Sequence, residues 1–377
     1  MPEPSQPDAP SQRPRVVHFV TGGFSGATQV AVDLCRAARR SGPFEPVLVL
    51  RRKRHTPMQR VEALRAEGLE VHLVSGWAHA VTVAQLAALL RELRPQALLA
   101  HGFPEHLLGR RAGLKAGVPV LVQVEHNTRE RYTPWSRWWT RRLAQHSAAV
   151  VGVSEGVRQV LLRLGLPPDK TLAIPNGIDL MRFADADARP FDRRLPQILM
   201  SARFARQKDQ PTLIRALARL REQGLRPHLV LAGTGSGRAE QACRALAQRL
   251  GVLDQIEWAG HVGDLPARLM QTRIFVLATH WEGMPLALVE AMAAGCACVA
   301  SHVPGVEGVL EDGVTGLLVP EADPEALAAA LARLLRDEAL AARLGAAARA
   351  RAAQAHSQGQ MLARYEALLA AMVRPSQ

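Results

Sequence analysis

Apolar residues in this chain fall into short runs separated by longer stretches with helical periodicity. Runs at residues 15–20, 46–50, 70–74, 97–101, 119–124 and 148–153 predict strands, and the stretches 27–40, 57–67, 82–93 and 105–116 predict helices between them. Strands alternating with helices imply parallel sheets covered on both faces. The pattern then pauses. Asn176-Gly177-Ile178-Asp179 is turn chemistry, and residues 184–196 are polar with two prolines. A second series follows, with strands expected at 197–202, 228–232, 255–259 and 273–278 and helices at 211–223, 238–250 and 285–294. Two doubly wound units joined near residues 180–195 are the simplest account. Residues 324–372 are helical and rich in Ala and Arg, broken at His356-Ser357-Gln358-Gly359. The final piece carries Leu362, Tyr365, Leu368, Leu369 and Met372 on one side, a face to be buried against the first unit.

Bulk composition agrees with that picture. The chain has 377 residues, 48% hydrophobic and 21% charged, which is soluble globular composition and room for two domains. Residues 1–14 are rich in Pro, Ser and Gln, lack apolar periodicity and read as a disordered N-terminus. They show no basic start followed by an apolar run, as a secretory signal would. The longest charge-free stretch, residues 71–90, reads as strand, loop and helix start, not as a membrane span. A cytoplasmic protein is expected. Cys35 and Cys243 fall in helices, and Cys296 and Cys298 form a lone Cys-x-Cys with no second pair to complete a zinc site. Buried thiols and no metal are expected. Of the net charge of +13, ten units lie at or before Arg189. Either an anionic partner attracts the first half (phosphorylated acceptor, membrane surface or nucleic acid), or the chain simply favours Ala and Arg throughout.

In open α/β sheets, ligands bind beyond the carboxyl ends of the strands. After the first strand stands Thr21-Gly22-Gly23-Phe24-Ser25-Gly26, then a helix. These glycines either let amides approach an anion at the helix start or make a tight turn. The loop is not Gly-x-Gly-x-x-Gly, and Arg51-Arg52-Lys53-Arg54 occupies the place of a ribose-binding acid, which disfavours a nicotinamide-dependent oxidoreductase. His126 follows the fifth strand in a polar loop, where it either touches substrate or bonds to backbone. Arg203 and Lys208 follow the first strand of the second unit and are placed to converge on a diphosphate, the Arg as a fork and the Lys as a point charge.

The most informative stretch runs from His280 to Met292. Glu282 precedes a helix that Pro285 is suited to start, and Glu290 lies inside it among apolar neighbours. Amides of Gly283, Met284 and Leu286 at that helix start are expected to hold a phosphate. Glu282 is placed to accept hydrogen bonds from a sugar, and Glu290 from a ribose. Separately, residues 129–142 interleave aromatic and basic side chains, with Thr133 as cap of a helix beginning at Pro134. Trp135, Trp138, Trp139 and Leu143 are expected on one side, with Arg137 and Arg141 nearby. That stripe either faces the core or lies in an anionic headgroup layer.

These residues resemble glycosyltransferase family 4, whose members are retaining enzymes of the GT-B fold. The similarity covers most of residues 16–369. It is carried by Gly22-Gly23, Ile174-Pro175-Asn176-Gly177-Ile178-Asp179, Arg203 with Lys208, Gly233-Thr234-Gly235, and the pair Glu282 and Glu290. The resemblance implies two Rossmann-like domains facing across a cleft: an acceptor domain over 15–182, a donor domain over 183–356, and a C-terminal helix over 357–377 crossing back. It implies a nucleotide-diphosphate sugar, a UDP-sugar ahead of GDP-mannose, held without metal or cofactor. Arg203 and Lys208 would contact the diphosphate, Glu282 the sugar and Glu290 the ribose, with His126 near the reacting sugar. Gly22, Gly23, Gly283, Met284, Pro285 and Leu286 complete the expected donor site. Phe24-Ser25 departs from the commoner Gly-Gly-Ala-Glu loop. The acceptor would be a glycan or a lipid-linked glycan, as in lipopolysaccharide or exopolysaccharide synthesis, with the enzyme at the inner face of the membrane if the aromatic stripe docks there. The rivals are a sugar-nucleotide epimerase of similar architecture and a non-catalytic nucleic-acid binder. The second leaves Glu282 and Glu290 without purpose, and no nucleic-acid module is present.

Overall fold

A computed structural model describes residues 13–129, 132–235 and 237–373. Most of the N-terminal stretch expected to be disordered, residues 374–377 of the crossing segment, and Glu130 and Arg131 of the aromatic-basic segment lie outside the described residues. Arg13 and Pro14 are engaged: Arg13 Nη1 donates to the Gly42 carbonyl at 3.1 Å, and the Pro14 carbonyl accepts the Glu45 amide at 3.0 Å.

The first domain winds β1 (Arg15–Thr21), α1 (Gly26–Ser41), β2 (Glu45–Arg51), α2 (Met58–Ala66), β3 (Glu70–Val74), α3 (His79–Leu93), β4 (Ala97–His101), α4 (Glu105–Ala116), β5 (Val120–Glu125), α5 (Pro134–Gln145), β6 (Ala149–Gly152), α6 (Glu155–Arg163) and β7 (Thr171–Ala173). The second winds β8 (Leu195–Ser201), α7 (Gln210–Glu222), β9 (His228–Ala232), α8 (Gly237–Arg249), β10 (Ile256–Gly260), α9 (Leu265–Met270), β11 (Thr272–Leu277), α10 (Leu286–Ala293), β12 (Ala297–Ser301) and β13 (Leu317–Val319). Then come α11 (Pro324–Arg336), α12 (Glu338–Ala355) and α13 (Gln358–Met372). Among the described residues every strand pairing is parallel, in the orders β3-β2-β1-β4-β5-β6-β7 and β10-β9-β8-β11-β12-β13.

The central strands are buried on both faces, which is why they read as continuous rather than alternating apolar runs. Three short strands, β7, β12 and β13, were not distinguished in the sequence. Cys298 lies on β12 and Cys296 just before it, both fully buried, and desolvation pushes the Cys296 thiol up to about 12. Helix starts follow their caps. Asp209 accepts the Thr212 amide at 3.2 Å, Thr133 the Ser136 amide at 3.2 Å, and Ser357 the Gln360 amide at 3.1 Å.

The last helix returns to the first domain as expected, with its seam shifted slightly. Met361, Tyr365 and Leu369 are the buried line, spaced four apart, while Leu362, Leu368 and Met372 flank it. Tyr365 and Leu369 face Val16, His18 and Leu34 of the first domain. No described helix is long and apolar enough to cross a membrane.

Candidate active site

In each sheet the winding reverses beside its first strand, with β1 between β2 and β4 and β8 between β9 and β11. A crevice opens at the carboxyl ends there. The two crevices face each other and enclose a cavity of about 510 Å³. Thr21, Ser25, His101, Phe103, Glu105, His126 and Asn176 line it from the first domain, and Arg203, Lys208, Glu282, Gly283, Met284, Pro285 and Leu286 from the second.

The loop after β8 is stitched to the end of β11. The Asp209 amide donates to the Ala278 carbonyl at 3.0 Å, the His280 amide donates to the Gln207 carbonyl at 2.9 Å, and Lys208 pairs with Thr279. This brings Lys208 Nζ onto Glu282 Oε1 as an ion pair. Glu282 is only 5% exposed, and Thr279 Oγ1 also donates to its Oε1 at 3.0 Å. Arg203 is exposed, lines the cavity and makes no ion pair among the described residues. Lys208 and a buried carboxylate thus meet just before α10, whose first-turn amides have no intrahelical acceptor, and Arg203 lines the same cavity. Pro285 is the N-cap residue rather than the first helical position expected from the sequence.

The first domain grips this loop directly. Thr128 Oγ1 donates to the Glu282 carbonyl at 2.6 Å, and Ser154 Oγ to the Gly283 carbonyl at 2.7 Å. A Cβ on Gly283 would lie 1.8 Å from the His126 carbonyl oxygen, so only glycine permits the approach. The His126 loop is held from below by Glu125, whose Oε1 accepts the amides of His126 at 2.9 Å and Asn127 at 3.2 Å. Tyr132 Oη donates to Glu125 Oε2 at 2.9 Å. Glu105 is buried against Arg51 at 3.1 Å and Lys53 at 3.4 Å. Desolvation holds the His126 imidazole at about 3, so it is neutral at pH 7.

Two family descriptions match in succession: Glycosyltransferase Family 4 over residues 24–182 and Glycosyl transferases group 1 over residues 182–351. A GDP-mannose-dependent alpha-(1-6)-phosphatidylinositol monomannoside mannosyltransferase of Mycolicibacterium smegmatis is 30% identical over 65% of this chain and 68% of its own length. The chain belongs to glycosyltransferase family 4. A D-inositol 3-phosphate glycosyltransferase of Geodermatophilus obscurus is 33% identical, and there the match spans 53% of this chain and about half, 48%, of the relative. Among solved structures, Anabaena HepE in complex with UDP-glucose superposes with a TM-score of 0.81 at 19% identity, covering 95% of this chain and 100% of that one. The fold is GT-B.

Within this family 4 chain the expected site residues do not all converge. Arg203, Lys208, Glu282, His126 and residues 283–286 share the cavity; Glu290, Gly22 and Gly23 are outside its lining. Glu290 pairs with Arg182 at 3.4 Å, and desolvation raises its carboxyl despite that arginine. Gly22 serves the turn: its amide donates to the Arg51 carbonyl at 2.8 Å, and a Cβ would stand 2.7 Å from that oxygen. The aromatic helix α5 also corrects the sequence reading. Its buried residues are Thr140, Leu143 and Ala144, so of the expected stripe Leu143 is buried and the tryptophans are not. Trp135 and Trp138 are 68% and 51% exposed and stacked at 5.5 Å, which rules out a core-facing stripe. Trp139 is half-buried under the Arg111 guanidinium at 4.8 Å, while Arg137, Arg141 and Arg142 are exposed. His101, Phe103, Glu105 and Asn176 went unassigned. His101 ends β4, and Phe103 and Glu105 follow it.

Proposed function

We propose that this protein transfers a hexose from a nucleotide-diphosphate sugar, a UDP-sugar ahead of GDP-mannose, to a glycan or lipid-linked acceptor, with retention at the anomeric carbon and without a metal. The observation that carries this reading is the interdomain cavity where Arg203, Lys208, Glu282 and the start of α10 face His126. A departing diphosphate accumulates negative charge as the sugar becomes oxocarbenium-like. Arg203, Lys208 and the α10 amides are placed to stabilise that charge from the second domain. An arriving diphosphate competes with Glu282 for Lys208, which frees the carboxylate to accept hydrogen bonds from sugar hydroxyls. The first domain then supplies the acceptor, above the buried Glu105 pair. The UDP-glucose held by HepE supports a UDP-sugar, the GDP-mannose named for the mycobacterial relative supports the alternative donor, and the phosphatidylinositol monomannoside in that relative's name supports a lipid-linked acceptor. Lipopolysaccharide or exopolysaccharide synthesis at the inner membrane face fits such an acceptor and the exposed tryptophans of α5. An epimerase shares the nucleotide but not the need for an acceptor, and family membership favours transfer.

Titration calorimetry with UDP, UDP-glucose, UDP-galactose, GDP and GDP-mannose tests the donor. Micromolar affinity for one diphosphate nucleotide series, with nucleotide release that requires an acceptor extract, is expected. Conversion of the donor into a different sugar nucleotide, with no net nucleotide release, would instead fit the epimerase, and no binding to any nucleotide would end the reading.

A further inference from the structure

Three imidazoles stand in line through the first domain. His18 lies mid-way along β1, His101 ends β4 and His126 follows β5. His18 Nδ1 is 3.2 Å from His101 Nε2, and His101 Nδ1 is 3.2 Å from His126 Nε2. Each contact therefore joins a δ nitrogen to an ε nitrogen. His18 and His101 are 3% and 0% exposed, and desolvation holds His18 at about 4 and His101 well below the ordinary imidazole value. All three rings are neutral at pH 7.

A neutral imidazole carries one N–H and one bare nitrogen. Only two arrangements turn both contacts into hydrogen bonds: all three rings protonated at Nδ1, or all three at Nε2. Any mixture sets two N–H groups or two lone pairs against each other in the interior. The cleft end of the chain is His126 Nδ1, the nitrogen that His101 does not use. At the far end, His18 and Tyr365 of α13 line a cavity of about 40 Å³, room for one water. The Tyr365 hydroxyl is buried without a hydrogen-bond partner among the described residues, and desolvation raises its phenol well above the ordinary value, so the proton stays on oxygen. Through one water, a bare His18 Nε2 completes the path: the water accepts from the Tyr365 O–H and donates to the ring, whereas a protonated Nε2 would leave both groups donating to a water whose own hydrogens face apolar walls. Glu366, exposed at the mouth of the same cavity, is the acceptor that would favour the opposite arrangement.

We propose that His18 and His101 are positioning residues that lock His126 as its Nδ1–H tautomer, presenting an N–H to an oxygen of the donor sugar, and that Tyr365 on the crossing helix sets the direction of the chain. The sugar-facing role rests on the function proposed above; the tautomer order does not. The helix that ties the second domain to the first thereby also orients a group at the reacting end of the cleft.

The test is a long-range ¹H–¹⁵N correlation spectrum of the full-length protein, ligand-free at pH 7.5, with His18→Gln and His126→Gln used to assign resonances. Three neutral Nδ1–H patterns are expected for His18, His101 and His126. Tyr365→Phe, which removes one oxygen, should turn His126 into a tautomer mixture and lower kcat about three- to tenfold while donor KM changes less than twofold. Nε2–H or mixed patterns in the wild type overturn the proposal, as does a Tyr365→Phe spectrum with His126 unchanged. Ordered tautomers in a protein that binds no nucleotide would sink the function reading and leave the chain standing.

Discussion

The two domains wind their strands in the same order and open their crevices at the same topological point, yet they fill them with different chemistry. The second domain brings charge: Arg203 without an ion pair among the described residues, Lys208 and Glu282 locked together, all within one loop and one helix start. The first brings neutral imidazoles, Phe103, and a carboxylate already matched by Arg51 and Lys53. On the proposed function, the crevice that receives a diphosphate keeps cations to spare, and the one that orients a neutral hydroxyl holds its charges in internal pairs and its histidines deprotonated. On that reading the same backbone frame separates anion binding from positioning, and the separation can be tested from both sides.

The largest effect is expected from the charged side. Arg203→Ala combined with Lys208→Ala removes both side-chain cations from the cavity. Loss of one preorganised charge-stabilising group typically costs about 100- to 1000-fold in rate, so the pair should reduce turnover by at least about 1000-fold. Initial rates of nucleotide release with saturating acceptor measure it. Turnover within tenfold of wild type would mean the second domain's charges are surface decoration and the contrast between the crevices is false.

A smaller effect marks the first domain. His18, His101 and His106 are buried there with depressed pKa values, through desolvation foremost, whereas His228, His261 and His302 of the second domain are exposed. The unfolded chain binds protons on these rings below about pH 6.5 while the folded one does not, so stability falls as pH drops through that value. It stops falling below the folded pKa, which for His18 is about 4. At pH 5 the His18 ring contributes a loss of about 2 kcal/mol, and His101 and His106 act in the same direction. Peptide-resolved hydrogen exchange, corrected for intrinsic rates, should show β1 and β4 losing protection between pH 7 and 5 more than β8 and β9. Equal loss in both sheets would locate the acid sensitivity elsewhere.

This difference also explains what the sequence revealed. The winding was legible because strands buried on both faces read as continuous apolar runs. The charged crevice was legible because its residues are close in sequence and follow strand ends: Arg203 and Lys208 after β8, Glu282 before α10. The neutral crevice was not. His18, His101 and His126 come from three strands, and nothing in their spacing says that nitrogens will meet at 3.2 Å. Gly283 was read as an amide donor at a helix start. That it must be glycine because the His126 carbonyl stands where a Cβ would be is a fact about two domains touching. Glu290 was read as a ribose ligand from its place in a motif, but spacing alone could not reveal its pairing with Arg182.

The smallest effect concerns the outer surface of the first domain. Trp135 and Trp138 are stacked and exposed, and Arg141 and Arg142 lie on the same side of α5 at helical spacing. Aromatic rings flanked by arginines suit the headgroup layer, where the rings gain partial burial and each cation near an anionic surface contributes about 1 kcal/mol. If the acceptor is lipid-linked, this face would hold the positioning crevice near the membrane while the charged crevice receives nucleotide sugar from solution. Trp135→Ala with Trp138→Ala should weaken co-sedimentation with phosphatidylglycerol-containing vesicles by about tenfold, on the order of 1.4 kcal/mol, and leave nucleotide affinity unchanged because α5 does not line the cavity. Raised salt should weaken wild-type binding further, since the arginine contribution is screened. Vesicle binding that ignores both the substitutions and the anionic lipid content would leave the tryptophans as exposed surface, and the first domain's distinctive chemistry would then be confined to its crevice.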